Sequence, residues 1–476
     1  MRKTLAKVAS GAERCLIWCG RCNRSRSRAV SIKQISKLTE RESSINSLVS
    51  SLTARVISLV PKQLTSEDWA ALRFEAGQLF TPSTPINIAE ALAGRTEQIR
   101  KLVDTISERG RHAIIYGEPG VGKTSVAQVL QYFVPRKTSE VIYIRKAAFS
   151  SDDYSSVWME IFKNIKFVAD AGYGEKTYTV SDMYSSGVTP NDVVRELSNF
   201  QPNHIPIIVI DEYNVIKDKD SPHTMAETIK AVSDAGLNVT IVIVGISDTV
   251  ESLIEGHASI SRCCEEVLMP RMHNGEMQAL VESRTSKLGM KIAGDAKWKI
   301  INLSKGLPAF CHGLGKGAVI AAIDQKRRSV EEKEVDISIN VLLASSQNTL
   351  KNDYETAIRS NQARARFRQI LTACALAKTD ESGYFTAKQV QSPLSNILKK
   401  EIGIDGFNPN LKELASQKRG DVLQQIGSER IYRYRFKDPA MQPFVIMKGI
   451  QDGLLDERAK SALSSPEQAD LFSTWP

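Results

Sequence analysis

An eight-residue stretch in the first part of the chain has the residue types and spacing of a phosphate-binding loop. It follows the apolar run HAIIY, precedes a segment with helical spacing, and consists of Gly117, Glu118, Pro119, Gly120, Val121, Gly122, Lys123 and Thr124. Glycines let backbone N–H groups turn inward around phosphate oxygens, and the N-terminus of the next helix adds the positive end of its dipole. Lys123 would reach the β- and γ-phosphates of ATP, Thr124 would hold Mg²⁺ through its hydroxyl, and Ser125 belongs to the same binding stretch.

Two carboxylates follow a second apolar run, residues 206–210. Ligands of open α/β sheets bind beyond the carboxyl ends of the strands, where Asp211 and Glu212 would lie. Asp211 is expected to complete the Mg²⁺ shell through water, and Glu212 to orient or polarise the attacking water. A solvated acidic turn is the alternative, and the phosphate loop upstream weakens it.

The elements that must position these residues alternate between β-branched runs and amphipathic helical patterns. Strands are expected at 113–116, 141–144, 205–210, 239–244 and 266–269. Helical stretches at 123–133, 154–165 and 224–234 separate them. This alternation predicts an α/β fold with a parallel sheet covered on both faces, and together with the phosphate loop it predicts the sheet of a P-loop NTPase. The run 173–189 is rich in Gly, Ser and Thr and has no clear period.

In the second half of the chain the alternation of strands and helices ends. Residues 274–345 have the pattern of helices only, which predicts a small helical domain. After it we expect helices at 361–377, 386–400 and 409–417, strands at 422–426 and 430–436 joined by a turn at 427–429, and a closing helix at 439–451. Three helices and a hairpin are the winged-helix arrangement.

Short motifs around the loop resemble those of AAA+ ATPases, specifically the origin-recognition-type and STAND-like branch. The resemblance extends from about Gly94 to Gly453. It implies that Gly94 and Arg95, in a GR-x-x-E/Q-I box at 94–99, pack beside the adenine. It also implies that Asp248 ends a sensor-1 strand, where family members usually have Asn.

The resemblance implies two further roles. Arg262, in the stretch 257–262, would act as an arginine finger in trans, and such a group can be worth about 10³–10⁵ in rate. A structural ion-pair arginine is the alternative, and Arg271 is the fallback finger. The Gly-Leu-Pro at 306–308 resembles the STAND GxP motif, whose Pro308 would touch the base. No sensor-2 arginine is evident in this part of the lid, which favours a nucleotide-gated switch over a motor. His312 could approach the phosphates or be a buried core histidine.

Charge is distributed unevenly. The net charge is +9, and residues 1–39 alone carry ten basic residues against one acidic residue. Residues 361–450 carry 15 basic and 8 acidic residues. A recognition helix enters the major groove while a wing follows the backbone or minor groove. The candidate DNA contacts on or beside that helix and on the wing strand are Lys412, Lys418, Arg430, Arg433 and Arg435. Period two would place the wing arginines on one face, opposite Tyr432, Tyr434 and Phe436.

The remaining composition limits the class of protein. Apolar residues make up 42% and charged residues 25%, as in soluble globular chains. No apolar stretch is long enough for a membrane span. Seven cysteines do not form a secreted disulfide framework, so a cytoplasmic location is expected. Cys15, Cys19 and Cys22 lack a fourth ligand for structural zinc. The basic N-terminus is either a disordered extension or, less readily, a transit peptide.

These patterns predict an organisation and a function. The parts are a basic extension (1–40), a helical segment and linker (41–85), the AAA+ ATP-binding core (86–270), a helical lid (271–350), the winged helix (361–451) and a tail (452–476). The function is a slow, Mg²⁺-dependent ATPase switch that assembles as an ATP-dependent homo-oligomer and engages double-stranded DNA. The alternative is a STAND-like signalling, defence or transposition-associated scaffold ATPase whose winged helix contacts an effector protein.

Overall fold

The computed structural model describes most of the chain from residue 64 onward. The described residues are 64–81, 95–135, 139–170, 175–254, 260–360, 366–380, 382–428 and 431–465. The predicted helical stretch at 42–60, Gly94, Arg430 and the three N-terminal cysteines lie outside them. The chain divides into the units Met1–Thr65 and Ser66–Pro476. Everything below concerns the second unit.

Within the described residues, twelve strands form one five-stranded sheet and three small ones. They are β1 His112–Tyr116, β2 Glu140–Ala147, β3 Lys166–Asp170, β4 Glu175–Thr179, β5 His204–Asp211, β6 Thr240–Val244, β7 Cys264–Leu268, β8 Lys291–Ile292, β9 Ser329–Val330, β10 Phe385–Thr386, β11 Leu423–Ile426 and β12 Arg433–Phe436. The large sheet has the order β2-β5-β6-β1-β7 and all of its pairs are parallel. The five predicted strands of the ATP-binding core are therefore confirmed, with small differences at their ends.

Seventeen α-helices accompany these strands in the described residues. They are α1 Ser66–Leu79, α2 Thr96–Ser107, α3 Lys123–Val129, α4 Tyr154–Phe162, α5 Pro190–Leu197, α6 Ser221–Asp234, α7 Ile260–Cys263, α8 Asn274–Lys287, α9 Gly294–Ser304, α10 Pro308–Asp324, α11 Glu332–Ser345, α12 Asn348–Ile358, α13 Phe367–Leu376, α14 Ala387–Leu398, α15 Asn408–Leu414, α16 Met441–Gln451 and α17 Glu457–Leu463. Among them, none combines the length and the apolar character that crossing a lipid bilayer requires.

Apolar side chains cover both faces of the large sheet. Alternate residues of a strand point to opposite faces, so Ile114, Ile208 and Ile243 join one buried cluster. Their neighbours Ile115 and Val209 join the other. A parallel sheet with both faces covered needs nearly continuous apolar strands, which explains runs such as IIVI in β5. This packing fixes where the polar strand ends emerge.

The lid and the C-terminal module share a single apolar cluster. We define the lid as α8–α11 and the C-terminal module as α13–α16 with β10–β12. The cluster runs from Met277 in α8 to Phe444 in α16, and it also takes in Phe80 just after α1. Leu307 of the lid packs instead against the sheet's second cluster. Helical packing therefore continues without a break across the expected boundary between lid and winged helix.

Three local differences from the sequence predictions have physical causes. Residues 173–189 contain β4, which pairs with β3 as an antiparallel hairpin and stacks Tyr178 on Phe167 at 5.9 Å between ring centroids. The expected tail contains α17, and the Asp456 carboxylate caps it by accepting the Ala459 N–H. The second wing strand begins at Arg433 rather than at residue 430. Gly427 has a φ of 97° and the Ile431 N–H donates to Ser428 O, so the turn is longer than expected.

Phe80 should be a major stabilising contact between α1 and the lid. Its ring is fully buried, and a Cβ added to Gly315 of α10 would lie 2.6 Å from Phe80 Cε1. We expect Phe80→Ala to reduce the free energy of unfolding by about 3–5 kcal/mol, because a buried aromatic ring leaves a cavity. Denaturant unfolding measures this.

Phe74→Ala is the matched control. The Phe74 side chain is 72% exposed, so its removal should change stability by less than about 0.5 kcal/mol. Equal effects of the two substitutions would show that α1 does not pack on the lid.

Candidate nucleotide site

The backbone of the phosphate loop has the conformation that glycine permits. Gly117, Gly120 and Gly122 have φ values of 141°, 79° and 98°, a region that other residues rarely adopt. A Cβ on Gly117 would lie 2.6 Å from Met269 O, because β7 runs directly beside β1. Glycine is therefore needed here both for conformation and for the close approach of two strand ends.

Lys123 lies inside the loop and contacts its backbone. The ammonium donates to Gly117 O at 2.9 Å and to Glu118 O at 2.7 Å, and the residue is 8% exposed. Burial lowers the pKa of Lys123 to about 8, although the nearby Asp211 and Glu118 carboxylates oppose the shift. The carbonyls hold the cation where phosphate oxygens could replace them.

Asp211 and Thr124 lie next to each other at the ends of β5 and the phosphate loop. Thr124 Oγ1 lies 3.4 Å from Asp211 Oδ1, and Asp211 is 1% exposed. A hydroxyl and a carboxylate are hard oxygen donors that fit Mg²⁺, which commonly keeps several of its waters. The described residues contain no cluster of three or more His, Cys, Asp or Glu that would form a separate metal site. The donor set at Thr124 and Asp211 therefore suits a nucleotide-bound Mg²⁺.

Arg145 is a member of this site that sequence reasoning missed. Its Nη2 donates to Asp211 Oδ2 at 2.6 Å, and β2 lies beside β5 along its whole length. The other carboxylate oxygen accepts the Glu212 N–H at 2.9 Å. Asp211 is thereby fixed in orientation and compensated in charge while it is buried.

Glu212 lies at the carboxyl end of β5 with its side chain exposed. Its φ of 56° is in the left-handed region, which costs a non-glycine residue energy and is concentrated at functional sites. That conformation turns the chain away from the strand direction immediately after Asp211. The two carboxylates consequently differ in environment, one buried and paired and the other open to water.

Arg95 connects the loop to the lid. It is 3% exposed, its Nη2 donates to Val121 O at 2.9 Å, and its backbone N–H donates to Glu276 Oε1 of α8. Burial lowers the pKa of Arg95, and Glu276 partly offsets the shift. Pro308 is the first residue of α10, immediately after the buried Leu307.

His312 lies within the packing between α1 and the lid. It is 3% exposed, its Nδ1 accepts the Thr81 N–H at 3.2 Å, and its ring meets Phe80 edge-on. Burial, aided by Arg284, lowers the pKa of His312 to about 3. Of the two interpretations of this histidine, the buried core residue fits these contacts.

Asp248 is paired with a side chain of the C-terminal module. Its carboxylate pairs with both terminal nitrogens of Arg435 from β12, at 2.6 and 2.7 Å, and Tyr384 Oη lies 3.4 Å away. The neighbouring Ser247 forms an isolated antiparallel β-bridge with Gly117 of the loop. The expected sensor residue and an expected DNA contact are thus partners of one another, a pairing that sequence distance gave no sign of.

The arginines expected to act in trans lie in different surroundings. Arg262 is exposed in α7, at the amino edge of the sheet near His112, and its carbonyl accepts from Arg111 Nη1. It therefore lies opposite the phosphate loop of its own chain. Arg271 lies beside that loop and is held by Glu118 at 2.6 Å, with both side chains nearly buried. Arg271 is therefore a residue of its own chain's site, which does not suit the fallback role.

The residues expected to contact DNA differ in how exposed their side chains are. Lys412 is exposed and lies 5.4 Å from the Tyr432 ring centroid, and Lys418 is 76% exposed beside Glu413. Arg433 is half exposed and pairs with Asp380, whereas the Arg435 side chain is 14% exposed. Both arginines lie over Tyr384, which confirms that they share one face of β12. Tyr434 and Phe436 are buried on the other face.

Nucleotide affinity should fall as the pH rises above about 8. Below pH 8 the Lys123 ammonium is protonated in the free protein, and bound phosphates would hold that proton to higher pH. Between pH 8 and 9.5 the Kd should therefore increase by up to about tenfold per pH unit. Titration with a fluorescent ATP analogue measures it.

Lys123→Arg is the control, because a guanidinium stays charged throughout this range. A wild-type Kd that stays constant from pH 7 to 9.5 would contradict the assigned protonation.

Part of the chain is similar to a known protein family. Residues 89–253, less than half of the chain, match the family model described as AAA domain. No curated protein matches the chain significantly. Three solved structures are similar: Aeropyrum pernix ORC2 (14% identity, TM-score 0.45, 79% of this chain and 98% of that one), Pyrobaculum aerophilum Cdc6p (15%, 0.42, 80% and 99%) and the Thermotoga maritima RuvB Holliday junction branch migration motor (13%, 0.37, 76% and 96%).

Residues 89–253 are therefore similar to an AAA domain. The sheet order, phosphate loop and paired carboxylates of this chain are those of a P-loop NTPase. The chain has an α/β fold of this type and is an ATP hydrolase.

Proposed function

We propose that the protein is an Mg²⁺-dependent ATPase switch with slow turnover, whose C-terminal module is a winged helix that engages double-stranded DNA. The observation that carries the proposal is the docking of this module on the nucleotide site, through Arg435 on Asp248 and Gln442 on Arg271. Because the module contacts residues beside the loop, a structural change that ATP binding or hydrolysis causes in the loop would alter the contacts of the module. Such coupling is what a switch requires.

The residues of the site have distinct roles in hydrolysis under this proposal. Lys123 would bind the β- and γ-phosphates, and Thr124 and Asp211 would hold Mg²⁺, which neutralises charge that develops on the phosphates. Glu212, exposed to water, would orient a water molecule in line with the γ-phosphate and take up its proton. The water oxygen forms the new bond to phosphorus as the bond to the ADP oxygen breaks, which gives ADP and phosphate.

Assembly would complete the site. Arg262 lies at the sheet edge opposite its own loop, so it can serve a nucleotide only in a neighbouring subunit. Its exposure supports this role. We therefore propose an ATP-dependent homo-oligomer in which Arg262 contacts the γ-phosphate held by the next subunit.

The DNA proposal is supported by shape and charge. Helices α13, α14 and α15 with the sheet β10-β12-β11 have the elements of a winged helix. Lys412 and Lys418 are exposed on and beyond α15, and Arg433 is half exposed on the wing. Arg435 becomes available only when its pair with Asp248 opens, so DNA and the ATPase core would compete for this arginine.

Glu212→Gln should trap bound ATP. An amide cannot take up the proton of the attacking water, so we expect hydrolysis to fall about 10²–10⁴-fold while ATP binding remains. Single-turnover hydrolysis and a separate binding titration measure the two effects. Glu227→Gln, at an exposed position of α6, is the control. Unchanged turnover in Glu212→Gln would mean that another group positions the water.

DNA binding should depend steeply on salt and on the wing. In protein truncated to remove residues 1–39, Arg433→Ala should weaken duplex binding and reduce the slope of log K against log salt by about one. Asp248→Ala should strengthen binding, because it frees Arg435. Fluorescence anisotropy at several salt concentrations measures both.

Lys316→Ala, a basic residue of the lid outside the C-terminal module, is the control for DNA binding. Absence of duplex binding at low salt would refute the DNA proposal and leave the alternative, a winged helix that contacts protein.

A further inference from the structure

One guanidinium joins the phosphate loop, the lid and the C-terminal module. Strand β7 pairs with β1, and the Met269 N–H donates to Tyr116 O at 2.8 Å, so the residues after β7 run beside the loop. Arg271 Nε donates to Glu118 Oε2 at 2.6 Å, and Nη2 donates to Oε1 at 3.2 Å. The two side chains are 9% and 7% exposed. The result is a nearly buried, bidentate ion pair on the second residue of the loop.

The remaining donor of Arg271 is directed at other parts of the chain. Nη1 donates to Gln442 Oε1 of α16 and, at 3.4 Å, to Lys305 O of the lid. Gln442 is 1% exposed, and its amide nitrogen donates to Ala375 O in α13. The backbone of the module approaches as well, since a Cβ on Gly383 would lie 2.6 Å from Glu118 Oε1. Gln442 thus carries the contact from Arg271 into the core of the C-terminal module.

The charge of the pair matters for the neighbouring nucleotide. Glu118 places a carboxylate in the same loop that must receive several phosphate charges, and Arg271 compensates it. A phosphate offers the guanidinium an opposite charge and two oxygens in bidentate geometry, whereas the Gln442 amide and the Lys305 carbonyl are neutral and offer one oxygen each. A bound phosphate would therefore draw Nη1 away from Gln442 and Lys305 O.

We propose that Arg271 is a positioning residue for which the nucleotide phosphates and the C-terminal module compete. With the site free of nucleotide, Nη1 holds the module on the loop through Gln442. With ATP bound, the guanidinium turns toward the phosphates and the module loosens. The inference rests on the proposed nucleotide switch and adds its regulation. It does not depend on the identity of the module's partner.

If Gln442 and the phosphates compete for Arg271, a substitution that weakens the Gln442 contact should strengthen ATP binding, and one that strengthens the contact should weaken it. Gln442→Ala removes the competitor and should lower the Kd for ATP about threefold to tenfold. Gln442→Glu gives Arg271 a charged partner and should raise the Kd by a similar factor. Arg271→Met should raise it further, because Glu118 is left uncompensated beside the phosphates. Titration of the full chain with a fluorescent, non-hydrolysable ATP analogue measures each value.

The controls separate this role from a structural one. Gln451→Ala changes the same residue type on the same helix, away from Arg271, and should leave the Kd unchanged. A purely structural Gln442 would lower thermal stability in both variants without shifting the Kd in opposite directions. Equal Kd values for Gln442→Ala and Gln442→Glu, or a wild-type Kd for Arg271→Met, would overturn the proposal.

Hydrogen exchange of α16 supplies the second measurement. In wild-type protein, saturating ATP analogue should speed exchange in residues 441–451 by about 5–150-fold, the range of typical coupling energies. In the charge-neutral double variant Glu118→Gln/Arg271→Met, the analogue should bind without changing this exchange. The same acceleration in the double variant would refute the role of Arg271. Neither measurement contains DNA, so the result would remain valid even if the protein did not bind DNA.

Discussion

The parallel pairing of β1 with β6 and β7 is the constraint on which the candidate site depends. It places three strand ends side by side, so that Gly117 meets Ser247 on one flank and Met269 on the other. The loop has no room for a side chain at Gly117 because its neighbours are backbone. Arg271 reaches the loop because β7, which precedes it, pairs directly with β1.

Charge compensation is the second organising feature. Asp211 and Glu118 are buried carboxylates beside a site for phosphates, and each has an arginine, Arg145 and Arg271 respectively. An unpaired buried carboxylate would cost several kcal/mol and would repel the nucleotide. Arg145 lies in β2, beside β5, and Arg271 follows β7, which lies beside β1. Bound phosphates would add negative charge beside both pairs, and under our proposal the contact that changes is the one between Arg271 Nη1 and Gln442.

The continuous core of lid and C-terminal module determines how far such a change can travel. Because α8–α11 and α13–α16 share one apolar cluster, a shift in either is transmitted by packing. The C-terminal module, by contrast, meets the ATPase core through the polar pairs of Arg435 with Asp248 and of Gln442 with Arg271. Polar contacts between charged or amide groups can open at modest cost, whereas the shared apolar core cannot. The hinge of the proposed switch accordingly lies between the sheet and the unit formed by the lid and the C-terminal module.

The sequence by itself determined the parallel sheet, the phosphate loop and the meeting of Thr124 with Asp211, because strand periodicity and glycine spacing are local signals that act through short-range geometry. It also placed Arg433 and Arg435 on one face of β12. Tertiary structure alone decided the partners of Asp248, Asp211 and Glu118, which come from 187, 66 and 153 residues away. No local pattern encodes such pairs, since a charged residue on an exposed strand end looks the same whether it meets solvent or another domain. Docking of the C-terminal module, and with it the accessibility of Arg435, follows from the packing of the whole chain.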